Sequence, residues 1–395
     1  MLSRFLALDR LLLPTQPLWR VQPFHHLDLP WQHTHPALCE ALSALDLPAL
    51  QGLEQDALGR QALLWPLVPQ AAELATLCRL PHLPCSAPMA APAHVPGRKW
   101  AQIWAFAQQL DAADRQGHIL EWCAGKGHLG RLLARQGQPV VSLEWDADLC
   151  QAARQLSAGL PQQIVQQDVL ASGSGPWLAG ARQAVALHAC GDLHRHLLQQ
   201  GVAQGVASLS LAPCCYHKHA HEQYQPLSRA AQASALGLTR RQLQLPLQET
   251  VTGGARVRRL RWQELSWRLT FDALQRDLRG EETYLPLPSF AKERLAGELL
   301  AFIRWAADTK GLTLPAQLDV TPYLQQAQAR LAQVLRMELV LGLFRRPLEL
   351  WLLCDYALYL QEQGYGVSLA EFCERPLTPR NILLQAHKLA SAEGG

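Results

Sequence analysis

The sequence predicts an α/β fold built around a doubly wound, mostly parallel sheet. Two observations support this prediction. Between residues 118 and 213, short apolar runs alternate with helical segments, a rhythm typical of strand–helix–strand units. Near the C-terminus, two further strand-like runs are joined by the short segment RPLTP, which indicates an antiparallel hairpin. Because an isolated hairpin is only marginally stable, we expect it to complete one edge of the same sheet.

Each predicted strand is a short apolar run with a turn or helix signal at its end. The five parallel strands are HILEWCAG, PVVSLEWD, QIVQQDV, AVALHACG and VASLSLAP. The helices between them are GHLGRLLARQ, DADLCQAARQLSAG and DLHRHLLQQGV. The hairpin strands are GYGVSLAEFCE and RNILLQAHKLA.

Most of the remaining chain is predicted to be helical. Apolar helical stripes appear before residue 80, and FAKERLAGELLAFIRWAAD predicts a later helix that Gly311 closes. The stretch PHLPCSAPMAAPAHVPG is rich in proline and predicts a linker or an extended strap. The predicted segments are a helical N-terminal unit (1–80), a linker (81–97), a cofactor-binding core (98–219), a helical insert (220–360) and C-terminal strands that complete the core (361–395).

Composition restricts the class of protein. With 49% hydrophobic and 17% charged residues, the chain of 395 residues is apolar enough to bury a sizeable core. Its net charge of +3 excludes a general polyanion binder, so RNA contact needs a local basic patch and no DNA binding is expected. The ten cysteines indicate reduced thiols, and no uncharged stretch reaches the roughly 20 residues of a membrane span. We expect a soluble, cytoplasmic protein.

The segment EWCAGKGHLG ends the first predicted strand and opens a helix. Its glycines, Gly125, Gly127 and Gly130, fit the pattern G-x-G-x-x-G. Such a loop presents backbone N–H groups and a helix N-terminus, and its glycines let a ligand come close. The pattern predicts a nucleoside cofactor, with Cys123 of the same loop among its contacts. It does not choose between a dinucleotide and S-adenosylmethionine.

Acidic residues at three successive strand ends choose between these cofactors. Glu144 ends the second strand, where a carboxylate can accept from both hydroxyls of a ribose, and Asp168 follows the third, where it can accept from an adenine amino group. Glu121 lies at the mouth of the glycine loop. There it would repel a pyrophosphate but attract the sulfonium and ammonium groups of S-adenosylmethionine. The ordered set predicts S-adenosylmethionine as cofactor.

Candidate catalytic residues follow the fourth and fifth strands, where reacting groups lie in such sheets. The first set is in LHACGDLH, and the second is in PCCYHKHAH. Packing explains some members equally well: His188 as a core histidine, Asp192 as a helix N-cap, and the cysteine pair as buried apolar residues. The candidate residues are His188, Asp192, Cys214, Cys215 and His217.

The second set allows three kinds of chemistry. A cysteine thiolate can attack carbon 6 of a pyrimidine, although the sequence has only one of the two Pro-Cys or Thr-Cys pairs of the carbon-5 methylases. Tyr216, His217 and Lys218 can orient and deprotonate a substrate. Zinc binding is the third alternative, but adjacent cysteines followed by alternate histidines match no standard zinc spacing, and no metal is predicted.

In combination these motifs resemble a known family. EWCAGKGHLG, the Glu144 strand, ALHACGDL and APCCYH, in this order, resemble class I methyltransferases of the methyltransferase-like protein 25 type, as does the closing segment DYALYLQEQGYGVSLAEFCERPLTPRN. ALHACGD and CCYH also resemble the 2′-O-methyltransferases of the tRNA acceptor stem. The resemblance implies a Rossmann-like methyltransferase sheet and S-adenosylmethionine-dependent methyl transfer. It maps Glu121, Gly125, Gly127, Glu144 and Asp168 onto cofactor positions, and His188, Asp192, Cys214, Cys215 and His217 onto the substrate side.

RNA, as tRNA or rRNA, is the predicted substrate. Beside the resemblance, it rests on arginines interleaved with Trp262 and Trp267, which can contact phosphates and stack on bases. A solvated helix face with its tryptophans in the core explains the pattern equally well. A protein or peptide methyltransferase, and a cofactor-binding module without catalysis, are the alternatives. The arginines are Arg240, Arg241, Arg256, Arg258, Arg259, Arg261 and Arg268.

Overall fold

The computed structural model describes residues 1–110, 117–171, 173–248 and 254–390. This part of the chain contains one seven-stranded sheet in the order β3-β2-β1-β4-β5-β7-β6. The strands are β1 (His118–Trp122), β2 (Val140–Glu144), β3 (Gln162–Gln166), β4 (Ala181–Cys190), β5 (Ser208–Cys214), β6 (Tyr365–Glu371) and β7 (Ile382–Lys388).

Strand directions confirm the predicted α/β fold. Strands β1 to β5 pair in parallel. Strand β7 pairs antiparallel with both β5 and β6, so the C-terminal hairpin completes the sheet at the β5 edge. The carboxyl ends of all five parallel strands therefore meet along one edge, where the predicted site residues lie.

Helices cover the rest of the described chain. They are α1 (Leu2–Leu12), α2 (Gln16–Trp19), α3 (Pro36–Ser43), α4 (Leu47–Gln55), α5 (Ala57–Leu64), α6 (Pro69–Leu77), α7 (Gly97–Ala107), α8 (His128–Arg135), α9 (Ala147–Leu156), α10 (Gly175–Leu178), α11 (Asp192–Ala203), α12 (Arg229–Gln232), α13 (Ala255–Arg279), α14 (Leu299–Lys310), α15 (Thr321–Gly342) and α16 (Arg345–Glu362). Short 3₁₀ turns lie at Pro23–His25, Gln242–Leu247 and Lys292–Ala296. None of the helices in these ranges is long and apolar enough to cross a membrane.

The predicted helix over 290–308 is interrupted. A 3₁₀ turn ends before Gly297, whose backbone is extended, and α14 begins only at Leu299. Glycine is the poorest helix former after proline, so the break falls at the residue least able to continue the helix. The predicted end is confirmed, because Gly311 caps α14 in the left-handed conformation.

The chain divides into two compact units that do not follow the predicted segments. One unit contains the sheet and consists of the described residues of Met1–Leu13, Leu74–Thr252 and Arg345–Gly395. The other consists of Pro14–Glu73 and the described residues of Gly253–Phe344, and it is helical.

The first helix belongs to the sheet-containing unit because its apolar face packs on α16. The rings of Phe5 and Trp351 lie 5.2 Å apart, and the Trp351 indole donates to Asp9 at 2.9 Å. The N-terminal helices therefore do not form one separate unit.

The proline-rich segment forms an extended strap along the free edge of β6. The Leu83 amide donates to the Glu371 carbonyl at 2.8 Å, and the Glu371 amide donates to the Pro81 carbonyl at the same distance. These bonds satisfy backbone groups that an edge strand otherwise exposes. The strap leads into α7, which carries three residues of the candidate site, Lys99, Gln102 and Ile103.

Candidate functional site

A cavity of about 260 Å³ opens at the carboxyl ends of β1 and β4. The glycine loop and the start of α8 form one side of it, and α7 forms another. Its lining residues are Lys99, Gln102, Ile103, Glu121, Trp122, Cys123, Ala124, Gly125, His128, Leu129, Leu187 and His188.

The three glycines of the loop have different structural roles. A Cβ added at Gly125 meets nothing within 4 Å, and this glycine has φ +58°. A Cβ added at Gly130 would lie 2.5 Å from Oε2 of Glu121, and one at Gly127 would lie 2.8 Å from Nε2 of Gln162. Only Gly125 therefore leaves space for a ligand to approach the backbone. The other two are required by helix–sheet packing.

Glu121 is a buried carboxyl group at the end of β1. Its Oε2 accepts a hydrogen bond of 2.6 Å from the Ser142 hydroxyl. Burial raises the pKa of Glu121 to about 7, and the nearby Lys99 ammonium opposes this rise. A cation bound in the cavity would favour the ionised form, so the residue is suited to binding a positively charged group.

Glu144 is buried at the end of β2 and holds the loops together. Its Oε2 accepts from the Gly125 amide at 2.7 Å, and its Oε1 accepts from the amides of Trp145 and Asp146 at 3.0 and 3.1 Å. A carboxylate offers about four acceptor sites. One acceptor site remains for a ligand. Glu144 can therefore accept a hydrogen bond from one ribose hydroxyl, and not from both as the sequence predicted.

Glu144, Asp168 and Gly127 do not line the cavity. Asp168 is exposed after β3, and its carboxylate accepts from the Leu170 amide at 2.9 Å within its own turn. Gly127 is the N-cap of α8. Of the predicted cofactor contacts, the structure brings Glu121, Cys123 and Gly125 together around the cavity.

Backbone strain is concentrated at the same edge of the sheet. Cys123 and Cys215 directly follow β1 and β5, and His188 lies just before the end of β4. Each has a positive φ, between 48° and 65°. A non-glycine residue in this region costs about 1–3 kcal/mol, and such residues cluster at functional sites. The strain therefore marks the carboxyl edge formed by these three strands as the functional one.

His188 is held in one tautomer by α7. Its Nε2 lies 3.2 Å from Oε1 of Gln102, and the Gln102 amide nitrogen donates to the Leu377 carbonyl at 3.0 Å. The second bond fixes the orientation of the amide, so Nε2 of His188 carries the hydrogen and Nδ1 is left as an acceptor. Burial, with Arg380 nearby, lowers the pKa of His188 to about 4. The ring is therefore neutral at physiological pH.

Three thiols meet at the ends of β4 and β5. Cys190 and Cys214 are partners in the parallel register, with their sulfurs 3.5 Å apart, and Cys215 completes a group whose sulfurs lie within 4.8 Å of one another. We call these residues the thiol cluster. Hydrogen bonds from the two neighbouring thiols lower the pKa of Cys215, whereas the same contacts and burial raise the pKa of Cys214. Cys215, and not the buried Cys214, has thiolate character.

The other predicted catalytic residues lie outside the cavity. Asp192 is the first residue of α11 and not its N-cap, and its carboxylate accepts from the Ala220 amide at 2.7 Å, which holds the loop after β5. His217 lies in that loop, and its Nδ1 is buried with no partner among the described residues. Tyr216 is buried, and its hydroxyl donates to Oε1 of Glu349 in α16 at 3.3 Å, so this hydroxyl is engaged within the protein.

The structure adds residues that the sequence did not single out for the site. Lys99 and Gln102 of α7 line the cavity, although α7 lies outside the sequence motifs. His128 also lines it, and Arg131 donates to its Nδ1 at 3.2 Å, so its Nε2 carries the hydrogen. Trp145, directly after Glu144, is 71% exposed. The signal in the sequence was an aromatic residue directly after the strand-end acid Glu144.

The predicted RNA surface is only partly available. Trp267 is buried and packs on Phe302, and the Trp262 indole donates to Glu54 at 2.9 Å. Trp267 is therefore a core residue, and the N–H group of the half-buried Trp262 is engaged within the protein. Arg261 also pairs with Glu54, and Arg268 pairs with Glu264.

The remaining arginines of this set differ in exposure. Arg256 and Arg259 are exposed at the start of α13, and Arg258 is half-buried there. Arg240, which contacts Glu222, and Arg241 belong to the other compact unit. Residues 249–253 of the arginine-rich segment lie outside the described residues.

Comparison with known families identifies the domain. Residues 98–222 match a family described as a methyltransferase domain, which covers less than half of the chain. The match includes the glycine loop, the three acids, His188 and the thiol cluster. It bears out the predicted cofactor, because such domains take their methyl group from S-adenosylmethionine. No curated protein matches the sequence significantly.

Solved structures give only partial alignments. A predicted O-methyltransferase from Agrobacterium tumefaciens is 19% identical over 27% of this chain and 59% of its own length, with a TM-score of 0.22. The glycopeptide N-methyltransferase MtfA with S-adenosylmethionine is 22% identical over 37% of this chain and 65% of its own length, with a TM-score of 0.23. In complex with sinefungin, MtfA aligns over 32% of this chain and 59% of its own length, at 20% identity and a TM-score of 0.23. The chain therefore spans less than two thirds of the length of these proteins.

The residues around the cavity fit S-adenosylmethionine. The open space at Gly125 admits a ligand against the backbone, and the Glu121 carboxyl group offers a partner for an ammonium group. Lys99 and the Nε2–H group of His128 offer partners for a carboxylate on the same ligand. The site can thus satisfy both charges of an amino acid moiety.

Proposed function

We propose that this chain is an S-adenosylmethionine-dependent methyltransferase that acts on RNA, either tRNA or rRNA, in the cytoplasm. The observation that carries methyl transfer is one cavity lined by two kinds of group. The open Gly125 and the buried Glu121 line it, and so does His188, which has an acceptor nitrogen. This arrangement supports binding of a cationic nucleoside beside a group that can take a proton.

The cofactor supplies the methyl group, and the chain's residues hold it. Glu121 would bind the ammonium group, and Lys99 would bind the carboxylate. Glu144 would accept one ribose hydroxyl with its remaining acceptor site. Trp145 would cover the adenine ring, because its exposed side chain directly follows Glu144. Exposed tryptophans stack on nucleobases, and each such contact is worth about 1–3 kcal/mol.

His188 is the residue proposed to accept the acceptor's proton. Its neutral ring offers Nδ1, and Gln102 keeps the other nitrogen protonated. A positioned base of this kind contributes about 10²–10⁴-fold in rate. In this proposal Gln102 is a positioning residue, since it acts through His188.

The RNA substrate rests on weaker support. It comes from the sequence resemblance to tRNA methyltransferases and from the exposed arginines of α13, Arg256 and Arg259. Arginine binds phosphates in a bidentate manner, and several such contacts give an affinity that falls as salt rises. The tryptophans of the same segment give no support, because they are engaged within the protein.

Radioactive methyl transfer tests the proposal. The full chain is incubated with tritiated S-adenosylmethionine and either total RNA or total protein from cells that lack the gene. We expect label in RNA, and digestion to nucleosides then identifies the modified position. Label found only in protein would show that the substrate is protein and not RNA. Tight cofactor binding without methyl transfer would favour a binding module.

Salt dependence tests the arginines independently. In Arg256→Ala/Arg259→Ala, the slope of log affinity for tRNA against log salt should fall by about 1 for each arginine removed. Arg304→Ala, an exposed arginine on α14, is the matched control and should leave the slope unchanged. Equal slopes in wild type and the double variant would exclude these arginines from RNA binding.

A further inference from the structure

The thiol cluster is not explained by methyl transfer. Cys190 comes from β4, whereas Cys214 and Cys215 come from β5, so residues 24 apart in sequence meet at one point. The proposed base is His188, and the proposed cofactor contacts lie around β1 and β2. The three sulfurs therefore need a separate account.

Their spacing is that of a metal site. Zinc bound tetrahedrally by thiolates has Zn–S bonds of about 2.3 Å, which places neighbouring sulfurs about 3.8 Å apart. The sulfurs of Cys190 and Cys214 are 3.5 Å apart, and all three lie within 4.8 Å of one another. Small side-chain rotations would bring them to equal distances from one ion.

Backbone strain maintains this spacing. Side chains of consecutive residues in a strand point to opposite faces, so Cys214 and Cys215 would normally diverge. The positive φ of 48° at Cys215 interrupts the strand geometry at this residue, and its sulfur stays with the other two. The loop is also fixed, because the Lys218 amide donates to the Cys215 carbonyl at 2.8 Å and the Gly191 amide donates to the Cys214 carbonyl at 3.1 Å.

One further polar atom lies close to the cluster in sequence. Nδ1 of His217, two residues after Cys215, is buried with no partner among the described residues. A buried polar atom without a partner indicates an absent water or ion.

We propose that Cys190, Cys214 and Cys215 bind one zinc ion at the carboxyl ends of β4 and β5, with the fourth coordination position open to water or an acceptor atom. Three protein ligands with one open position are the arrangement of catalytic zinc sites, whereas structural sites have four. Soft thiolate ligands favour zinc over magnesium, calcium or manganese. No zinc-binding spacing is visible in the sequence, because the third ligand lies on a different strand from the cysteine pair.

Metal binding to the full chain tests the proposal directly. The protein is purified under reducing conditions, stripped with a chelator and titrated with Co²⁺, which is then displaced by Zn²⁺. We expect sulfur-to-cobalt charge-transfer absorption with a stoichiometry of one ion per chain. Absence of this absorption in the folded wild-type protein would overturn the proposal.

Cysteine variants locate the ion. Cys190→Ser, Cys214→Ser and Cys215→Ser should each weaken zinc binding by at least about tenfold, the lower limit seen even for residues that only support metal ligands. Cys85→Ser, at an exposed cysteine outside the cluster, is the matched control and should bind as wild type does. Equal affinity in all four variants would contradict the assignment. A Cys190–Cys214 disulfide in protein kept under reducing conditions would also contradict it.

These measurements need no methyl donor and no RNA. If the chain binds zinc but transfers no methyl group, the zinc site stands and the proposed function falls. If it transfers methyl groups but binds no zinc, the proposed function stands and the zinc site falls. Cys190 and Cys215 are half-buried and Cys214 is buried, so Cys190→Ser and Cys215→Ser depend less on core packing than Cys214→Ser does. Circular dichroism of each variant confirms that lost zinc binding is not lost folding.

Discussion

The carboxyl edge of the sheet has two chemically different halves. At β1 and β2 the functional groups are carboxylates, and hydrogen bonds from neighbouring groups hold them: Ser142 for Glu121, and three backbone amides for Glu144. At β4 and β5 they are an imidazole and three thiols, with positive φ at His188 and Cys215. The first half fits a cationic ligand, and the second fits proton transfer and a soft metal.

The contrast shows how one scaffold separates binding from chemistry. Carboxylates in the first half need hydrogen-bond donors because a buried charge without partners is costly. In the second half, burial keeps the His188 ring and the Cys214 thiol neutral, and Cys215, which has thiolate character, is stabilised by hydrogen bonds from the two neighbouring thiols. Mutations on each side should therefore have different effects: changes at β4 should reduce turnover, and changes at β1 should reduce cofactor affinity.

The largest expected effect is at His188. His188→Asn keeps a polar side chain of similar reach but removes the proton acceptor, and we expect a loss of about 10²–10⁴-fold in kcat with tritiated S-adenosylmethionine and RNA. Cofactor affinity, measured by calorimetry, should change little. A variant that loses affinity and turnover equally would break the proposed division between the two halves.

Gln102 provides the control for this assignment. Gln102→Ala removes only the group that fixes the tautomer of His188, so it should lower kcat by less than His188→Asn does. In the double variant the effect of Gln102→Ala should vanish, because a positioning residue has no function once its partner is gone. Additive losses would show that Gln102 acts independently of His188.

The next effect concerns Glu121 and pH. Glu121→Gln retains the size of the side chain but removes its charge, and we expect cofactor affinity to fall by about 10–100-fold at pH 7. Because the pKa of Glu121 is about 7, the ratio of wild-type to variant affinity should rise about tenfold between pH 5.5 and 7. Calorimetry over this range measures the ratio, and the ionisation of the ligand cancels in it. A constant ratio would exclude a charge interaction.

The same substitution should make the free energy of unfolding depend less on pH. Burial raises the pKa of Glu121 from 4.5 to about 7, so the folded state favours the neutral form. This contribution is complete below pH 4.5 and is lost as pH rises through 7, a difference of about 3 kcal/mol. In Glu121→Gln the side chain does not ionise, so stability is not lost in this way as pH rises. Urea unfolding at pH 5 and pH 8 should therefore show a smaller decrease for the variant than for wild type.

Much of the fold could be predicted from local patterns, and the limits have a physical cause. The strands could be predicted because they are apolar runs. The glycine motif after the first strand was expected to contact a cofactor, and Glu121, Cys123 and Gly125 do line one cavity. Glu144 was expected to be free for a ribose, but backbone amides occupy three of its four acceptor sites. A sequence indicates which residue ends a strand, but it does not show which backbone groups will turn toward it.

Long-range contacts were beyond prediction for the same reason. Gln102 reaches the Leu377 carbonyl across 275 residues, and Cys190 meets Cys214 and Cys215 only because β4 and β5 are neighbours. The unit boundaries also depend on such contacts, since α1 packs on α16 at the other end of the chain. No spacing rule within one segment contains this information.

The smallest effects separate the glycines of the loop. Gly130 lies in α8, where alanine usually stabilises a helix by about 0.5–1 kcal/mol. Here the added Cβ would lie 2.5 Å from both Glu121 and Gln162, so we expect Gly130→Ala to destabilise the protein by about 1–3 kcal/mol. Gly125→Ala meets no neighbouring atom, and its cost to stability is about 1–2 kcal/mol of left-handed strain.

Cofactor affinity should distinguish these glycines more clearly than stability does. The space beside Gly125 is where a ligand would approach the backbone, so Gly125→Ala should weaken S-adenosylmethionine binding even in fully folded protein. Gly130→Ala should weaken it only as far as Glu121 is displaced. Urea unfolding and calorimetry on both variants give the two quantities. If Gly125→Ala binds the cofactor as wild type does, the ligand does not pass over this loop, and the acidic half of the edge loses its proposed role.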